Sequence, residues 1–308
     1  MTRCAFAMVC AALFGIGTAA AGCGAEAPRM EAPKRDDSPS WSDIFDGTPE
    51  FYAVIRPRAM KHDGVYGTFF KALMRVAEAR GIARGDTMVR AAESADEIIV
   101  GMNGGGDAAI VLRGVPASLD PAKITDADGR ALFQAPREPA AVVEYEALQN
   151  RGGESGSLFV LPNRTWVGAM GEARSRARQA FVTPQHRPVP KVDAESLAVV
   201  RVSGRLPHVL DRHPRYGVLS KKLSSATFML KPAKAGLVVG LTYEDPDATA
   251  WAEMQAKQLI EELSSAPDRA WLKEAKVAYE DKTVFVRVAV PPRLLEELPN
   301  ASGADFGL

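Results

Sequence analysis

Every cysteine of this 308-residue chain lies within its first 23 positions, as Cys4, Cys10 and Cys23. The rest of the chain therefore has no disulfide framework, and too few cysteines exist for a Cys4 or Cys2His2 zinc knot. Whatever body it forms must be held without disulfides. Its length allows that without staples, and at about 150 residues per domain it accommodates two units. With 46% hydrophobic and 25% charged residues, the composition is that of an ordinary globular protein.

The apolar pattern predicts an α+β body. The first strand is "FYAVIRP", where Phe51, Ala53 and Ile55 alternate with Tyr52, Val54 and Arg56. A helix is expected from about Val65 to Arg80, with Val65, Phe69, Leu73, Val76 and Ala77 as its stripe and Gly81 as its stop. "EIIVGMN" and "DAAIVLRG" form a strand pair across a run of glycines, and "SLDPAKI" begins a short helix. "AVVEYEAL" is a strand, "SLFVLPNRTWVGAM" a hairpin and "GEARSRARQAF" a helix. "VTPQHRPVPKVDAE" has three prolines and no period, as a linker does.

The second half repeats this order. "LAVVRVSG" is a strand, "HPRYGVLSKKLSSA" is helix-like, and "ATFMLKP" with "GLVVGLTY" make a strand pair. The clearest helix comes next in "DPDATAWAEMQAKQLIEELSS", with Ala252, Ala256, Leu259 and Leu263 on one face. "KVAYEDKTVFVRVAV" is a hairpin and "PPRLLEEL" a last helix. Asp120-Pro121 and Asp245-Pro246 occupy matching places in the two halves. The expectation is two related units, 47–182 and 196–300, joined by a linker over 183–195 and followed by a tail over 301–308. Each would be an antiparallel sheet with helices packed on one face.

The N-terminus, "MTRCAFAMVCAALFGIGTAAAGC", has a single basic residue, Arg3, then an apolar stretch to about Ile16, then small residues. That is the layout of an export signal. The apolar part is too short to cross a bilayer, which takes ~20 apolar residues. Two cleavage sites fit. Ala19, Ala20 and Ala21 satisfy the A-x-A pattern, which would release a soluble exported protein. Alternatively, Ala20-Ala21-Gly22-Cys23 resembles the lipobox of bacterial lipoproteins, departing from it at Ala20, where leucine is usual.

That resemblance implies a signal peptide over 1–22, a diacylglyceryl group on the Cys23 thiol and an acylated new amino terminus. The membrane would then be a partner through those chains, and the protein would reside in the cell envelope. Gly24, rather than Asp, after the cysteine implies the outer membrane in a Gram-negative host. The chemistry agrees, because a leftover exposed thiol in an oxidising compartment needs a partner and acylation consumes it. Several buried chains at ~0.8 kcal/mol per CH2 also anchor stably where one does not. Residues 23–46, rich in Pro, Ala and charge, are expected to be a disordered tether.

Little in the body points to chemistry. "GMNGGGDA" lacks the spacing and the subsequent helix of a phosphate loop and is expected to be a turn. His208, Asp211 and His213 in "LPHVLDRHPRY" are the only weak metal candidates, but the i and i+5 histidines diverge on a helix. His62 and His186 stand alone. "TDADGRA", with Asp126, Asp128 and Gly129, lacks the last acidic ligands of a calcium loop. Arg174, Arg176 and Arg178 make one helix basic, as a solvated face does; the alternative is an anionic surface such as lipid headgroups. No catalytic residue and no cofactor are expected. The 38 basic residues balance 38 acidic ones, which argues against a nucleic-acid partner.

The expected function is a lipid-anchored envelope protein with a binding or structural role. The alternative is an exported hydrolase whose site is assembled from scattered residues. An enzyme should show a deep pocket with converging titratable groups. A binding module should instead show a shallow apolar surface or an exposed sheet edge.

Overall fold

The alternation in Phe51–Ile55 (β1) buries all five residues, so this strand has a packed layer on each side. In the computed structural model it lies near the middle of a single 12-stranded sheet. The described residues are 40–297 apart from 46, 80–84, 104–106, 126–128, 135, 137–141, 149–155, 188–191, 205–216 and 233–235.

Before β1 comes a short helix, α1 (Trp41–Ile44); after it come α2 (Pro57–His62), α3 (Tyr66–Ala79) and α4 (Gly85–Ser94). β2 (Glu97–Met102) and β3 (Ala108–Arg113) are next, then a 3-10 turn at Pro121–Lys123. The half ends with β4 (Phe133–Gln134), β5 (Val143–Ala147), β6 (Gly156–Val160), β7 (Trp166–Met170) and α5 (Glu172–Val182). The second half comprises β8 (Ala198–Ser203), β9 (Leu223–Leu230), β10 (Leu237–Tyr243), α6 (Pro246–Ser264), β11 (Lys276–Glu280), β12 (Thr283–Val288) and α7 (Pro292–Glu297). A 3-10 turn stands at Gly217–Leu219, and a 3-10 stretch at Pro267–Glu274 links α6 to β11.

The strand order is β11-β12-β10-β9-β8-β1-β2-β3-β7-β6-β5-β4, and every pairing is antiparallel. Outward from the centre, β1-β2-β3-β7-β6 of the first half has the same order as β8-β9-β10-β12-β11 of the second. Asp120 and Asp245 each cap the helical turn after them, accepting the N–H of Ala122 at 3.0 Å and of Ala248 at 2.8 Å. The halves are not separate bodies, since β1 pairs with β8 from Phe51↔Val202 to Ile55↔Ala198.

One face carries a core shared by both halves. Phe51, Ala53 and Ile55 meet Val200 and Val202 of β8, Val239 and Leu241 of β10, Phe69 and Phe70 of α3, and Ala252, Ala256, Leu259 and Leu263 of α6. The second half keeps the expected single helix layer. The first half has a further layer on its other face, where Tyr52, Val54, Ile99, Val111, Phe159 and Val167 pack against Ala173, Ala177 and Phe181 of α5 and against Ile44 and Phe45. The alanines let α5 approach closely, and the Phe159 and Phe181 rings tilt together at 5.1 Å. The Phe45 ring lies on Gly101, where a Cβ would overlap it.

Three readings of the sequence change. The tether expected over 23–46 already has structure at 40–45, because Ile44 and Phe45 are 2% and 1% exposed. Two apolar residues show no period along the chain, yet they complete the second core. The helix-like stretch up to Ala226 becomes strand from Leu223 onward. A bulge at Ser224 opposes the Thr242/Tyr243 step, so Leu223 and Ala226, three apart, both reach the core. The bulge counterfeits helical spacing. Finally, α2 and α4, unforeseen in the sequence, pack on α3 and on each other.

Candidate functional site

On the α1/α5 side, β3, β6 and β7 end at a cleft of about 520 Å³. Val111 and Val167 form its floor. Leu161 comes just after β6, Phe181 from the last turn of α5, and Ile44 from α1. The rim is polar: Ser40, Asp96, Arg113, Asn163, Arg164 and Thr165. Arg113 pairs with Glu97 at 2.8 Å, and Asp96 pairs with Arg58 at 2.5 Å. Arg164 sits at φ 63° in the turn between β6 and β7, exposed and without an ion pair among the described residues. The cleft is thus apolar below and polar above, with a cation at its rim. Its titratable groups stand on the rim and do not converge on a point. Such a surface suits a ligand with an apolar body and a polar or anionic end.

One wall of the cleft is held by Asp43. Its buried carboxylate accepts the backbone N–H groups of Ser40 at 3.0 Å, His186 at 3.1 Å and Arg187 at 2.9 Å. The Ser40 and Ser42 hydroxyls both donate to the Arg187 carbonyl, at 3.0 and 2.7 Å. The segment where the chain enters the body is therefore fastened to the start of the inter-half linker. The sequence signal was "SWSD", a hydroxyl three residues before an acid, as in a capping box.

Glu144 of β5, paired with Phe159 of β6, is gripped from two elements. Arg178 Nε donates to it at 2.9 Å, Arg174 Nη2 at 3.2 Å and the Ser157 hydroxyl at 2.5 Å. Glu146 takes the second contact of Arg174 at 2.5 Å. Burial pushes the Glu144 carboxyl up, but hydrogen bonds from Arg178 and Ser157 and the charges of Arg178 and Arg174 outweigh it. Its pKa lies below the ordinary 4.5. The pair was readable as two separate periods: Glu144 and Glu146 on one strand face, Arg174 and Arg178 one helical turn apart. Sequence alone does not say that these faces meet.

The basic run on α5 accordingly changes meaning. Arg174 and Arg178 are consumed by Glu144 and Glu146, and Arg176 contacts Glu172 at 2.5 Å and Asp107 at 3.5 Å. They are neither a free solvated face nor a headgroup surface. Cys23, His208, Asp211 and His213 lie outside the described residues. Among the described residues no group of three His, Cys, Asp or Glu is placed to hold a metal. His62 and His186 are exposed and apart. β2 and β3 pair antiparallel, while the glycines 104–106 between them and the residues 126–128 of the calcium-like run lie outside the described residues. No helix among the described residues is long and apolar enough to cross a membrane.

The sequence matches no protein-family model and no curated protein. The fold does have solved counterparts. Crystal form I of TP0453 is similar with a TM-score of 0.52 at 9% identity, covering 85% of this chain and 96% of that one. Crystal form III gives 0.53 at 8% identity, covering 84% and 97%. Nearly the whole of TP0453 and about 85% of this chain are matched, at an identity that carries no shared site, so the likeness is one of architecture. The chain has the α+β fold that TP0453 also has.

Proposed function

We propose that this is a lipid-anchored protein of the bacterial cell envelope whose body binds a ligand or partner and performs no reaction. The observation that carries the anchor is Cys23, the one cysteine beyond the apolar run, placed directly after Ala20-Ala21-Gly22. The cleft supports the binding role, since its floor is apolar and its charges are either paired or at the rim. Ser40, on the rim of the cleft, stands 17 positions after Cys23, a span of at most about 60 Å of fully extended chain. The anchor would thus hold the cleft mouth within about 60 Å of the bilayer surface.

The test is the intact mass of the mature protein taken from the membrane fraction of its host. A chain beginning at Cys23 and carrying acyl groups is expected. An unmodified chain beginning at Gly22 would remove the anchor and leave a soluble exported protein.

A further inference from the structure

We propose that β11 is a dimerisation edge. Two copies of the chain would pair antiparallel through Lys276–Glu280, about a two-fold axis at Ala278. The sheet then runs on from one copy into the other.

The matched strand order of the two halves gives the first reason. β6 and β11 occupy equivalent places, each outermost of five. The outer edge of β6 is taken by β5, but among the described residues the sheet stops at β11. Lys276, Ala278, Tyr279 and Glu280 are exposed, Tyr279 to 55% although its neighbour Val277 packs on the core.

The second reason is which backbone groups face outward. The Tyr243 N–H donates to the Lys282 carbonyl at 2.8 Å, which fixes the alternation along β12. Lys282, Val284 and Val286 turn their backbone groups to β10; Thr283, Phe285 and Arg287 turn theirs to β11. Their partners there are Glu280, Ala278 and Lys276. The N–H and C=O groups of Val277 and Tyr279 are left along the free edge, an open template for another strand.

The third reason is the order of the side chains in "KVAYE". A two-fold at Ala278 sets Lys276 against Glu280 of the second copy, and Glu280 against its Lys276. On the helix face it sets Val277 against Tyr279, twice. Those two pairs are the ones whose backbone groups point outward, so they are the hydrogen-bonded pairs of the new ladder. Ala278 meets itself as a non-hydrogen-bonded pair, where side chains come closest and a small residue fits. All five positions are complementary. A parallel arrangement would set lysine against lysine. Charges that merely guarded the edge would repel across the two-fold, and these attract.

The experiment is sedimentation of the full chain in detergent across a concentration series. The parent should show a monomer–dimer equilibrium. K276E and E280K, each placing like charges opposite one another twice, should each weaken it by about tenfold. The double variant K276E/E280K restores the signs and should dimerise within about threefold of the parent. A278C should form an intermolecular disulfide on mild oxidation, because that pair brings the Cα atoms to about 4.5 Å, within disulfide reach. The parent and the exposed control S265C should not form one at a comparable rate. A chain that stays monomeric throughout, or a dimer that the double swap does not rescue, overturns the proposal.

Discussion

The carboxylate of Asp43 accepts the backbone N–H of Arg187 at 2.9 Å, across 144 positions of sequence. With the N–H groups of Ser40 and His186 on the same side chain, this one acid closes the second core over Ile44 and Phe45. Removing it leaves the donors of three part-buried hydrogen bonds without their acceptor, which costs more than the bonds themselves contribute. Asp43→Ala should lower stability by about 2–3 kcal/mol. Asp43→Asn, which keeps one acceptor oxygen, should cost less. Hydrogen exchange is the decisive readout: protection should fall at 40–45 and 185–187 together, while β8–β12 stay protected. Uniform loss across the sheet would mean that Asp43 is not a local fastener.

Glu144 gives the protein an acid-sensitive joint. Its folded pKa lies below the ordinary 4.5, so the native state holds its proton more weakly than the unfolded chain. This contribution to stability is therefore fully present above about pH 4.5 and is lost as pH falls through the depressed folded value. Melting temperature measured against pH should drop on the acid side, and Glu144→Gln should flatten that part of the curve. At pH 7 Glu144→Ala, which leaves Arg174 and Arg178 without their central partner, should cost about 3 kcal/mol. An unchanged acid limb in Glu144→Gln would sink the assignment.

The cleft can be tested by filling it. Val167→Trp places a ring on the floor between Val111 and Leu161, and Arg164→Glu reverses the exposed rim cation. The fluorescent amphiphile 1-anilinonaphthalene-8-sulfonate has the chemistry that the cleft suits. Its affinity should fall about tenfold in Val167→Trp and severalfold in Arg164→Glu, the latter effect shrinking in salt. Equal binding by Val167→Trp and the parent would place the binding surface elsewhere.

Much of the secondary structure was written locally. α6 starts at Pro246 because Asp245 caps it, and its four apolar positions recur at helical spacing, so its span was legible without any partner. The β2–β3, β6–β7 and β11–β12 pairs were legible for the same reason, each being two β-rich runs separated by a few turn-forming residues. α1 was not, since four residues hold no period and Ile44 and Phe45 become apolar anchors only when Gly101 and α5 are in place. The strand from Leu223 was misread because its bulge breaks the alternation.

The candidate site divides along the same line. Local pattern named the arginines of α5 but not their carboxylate, because charge is visible in sequence and the approach of two faces is not. By itself the sequence determined the antiparallel α+β alphabet and the matching order of the two halves, both of which depend on residues close along the chain. Only the tertiary structure decided that the halves share one sheet through β1 and β8, that Asp43 fastens the entering segment, and that Val111, Leu161, Val167 and Phe181 line one cleft. Those relations join positions tens to over a hundred residues apart, and the energy that selects them is the burial of surfaces that only meet in the folded chain.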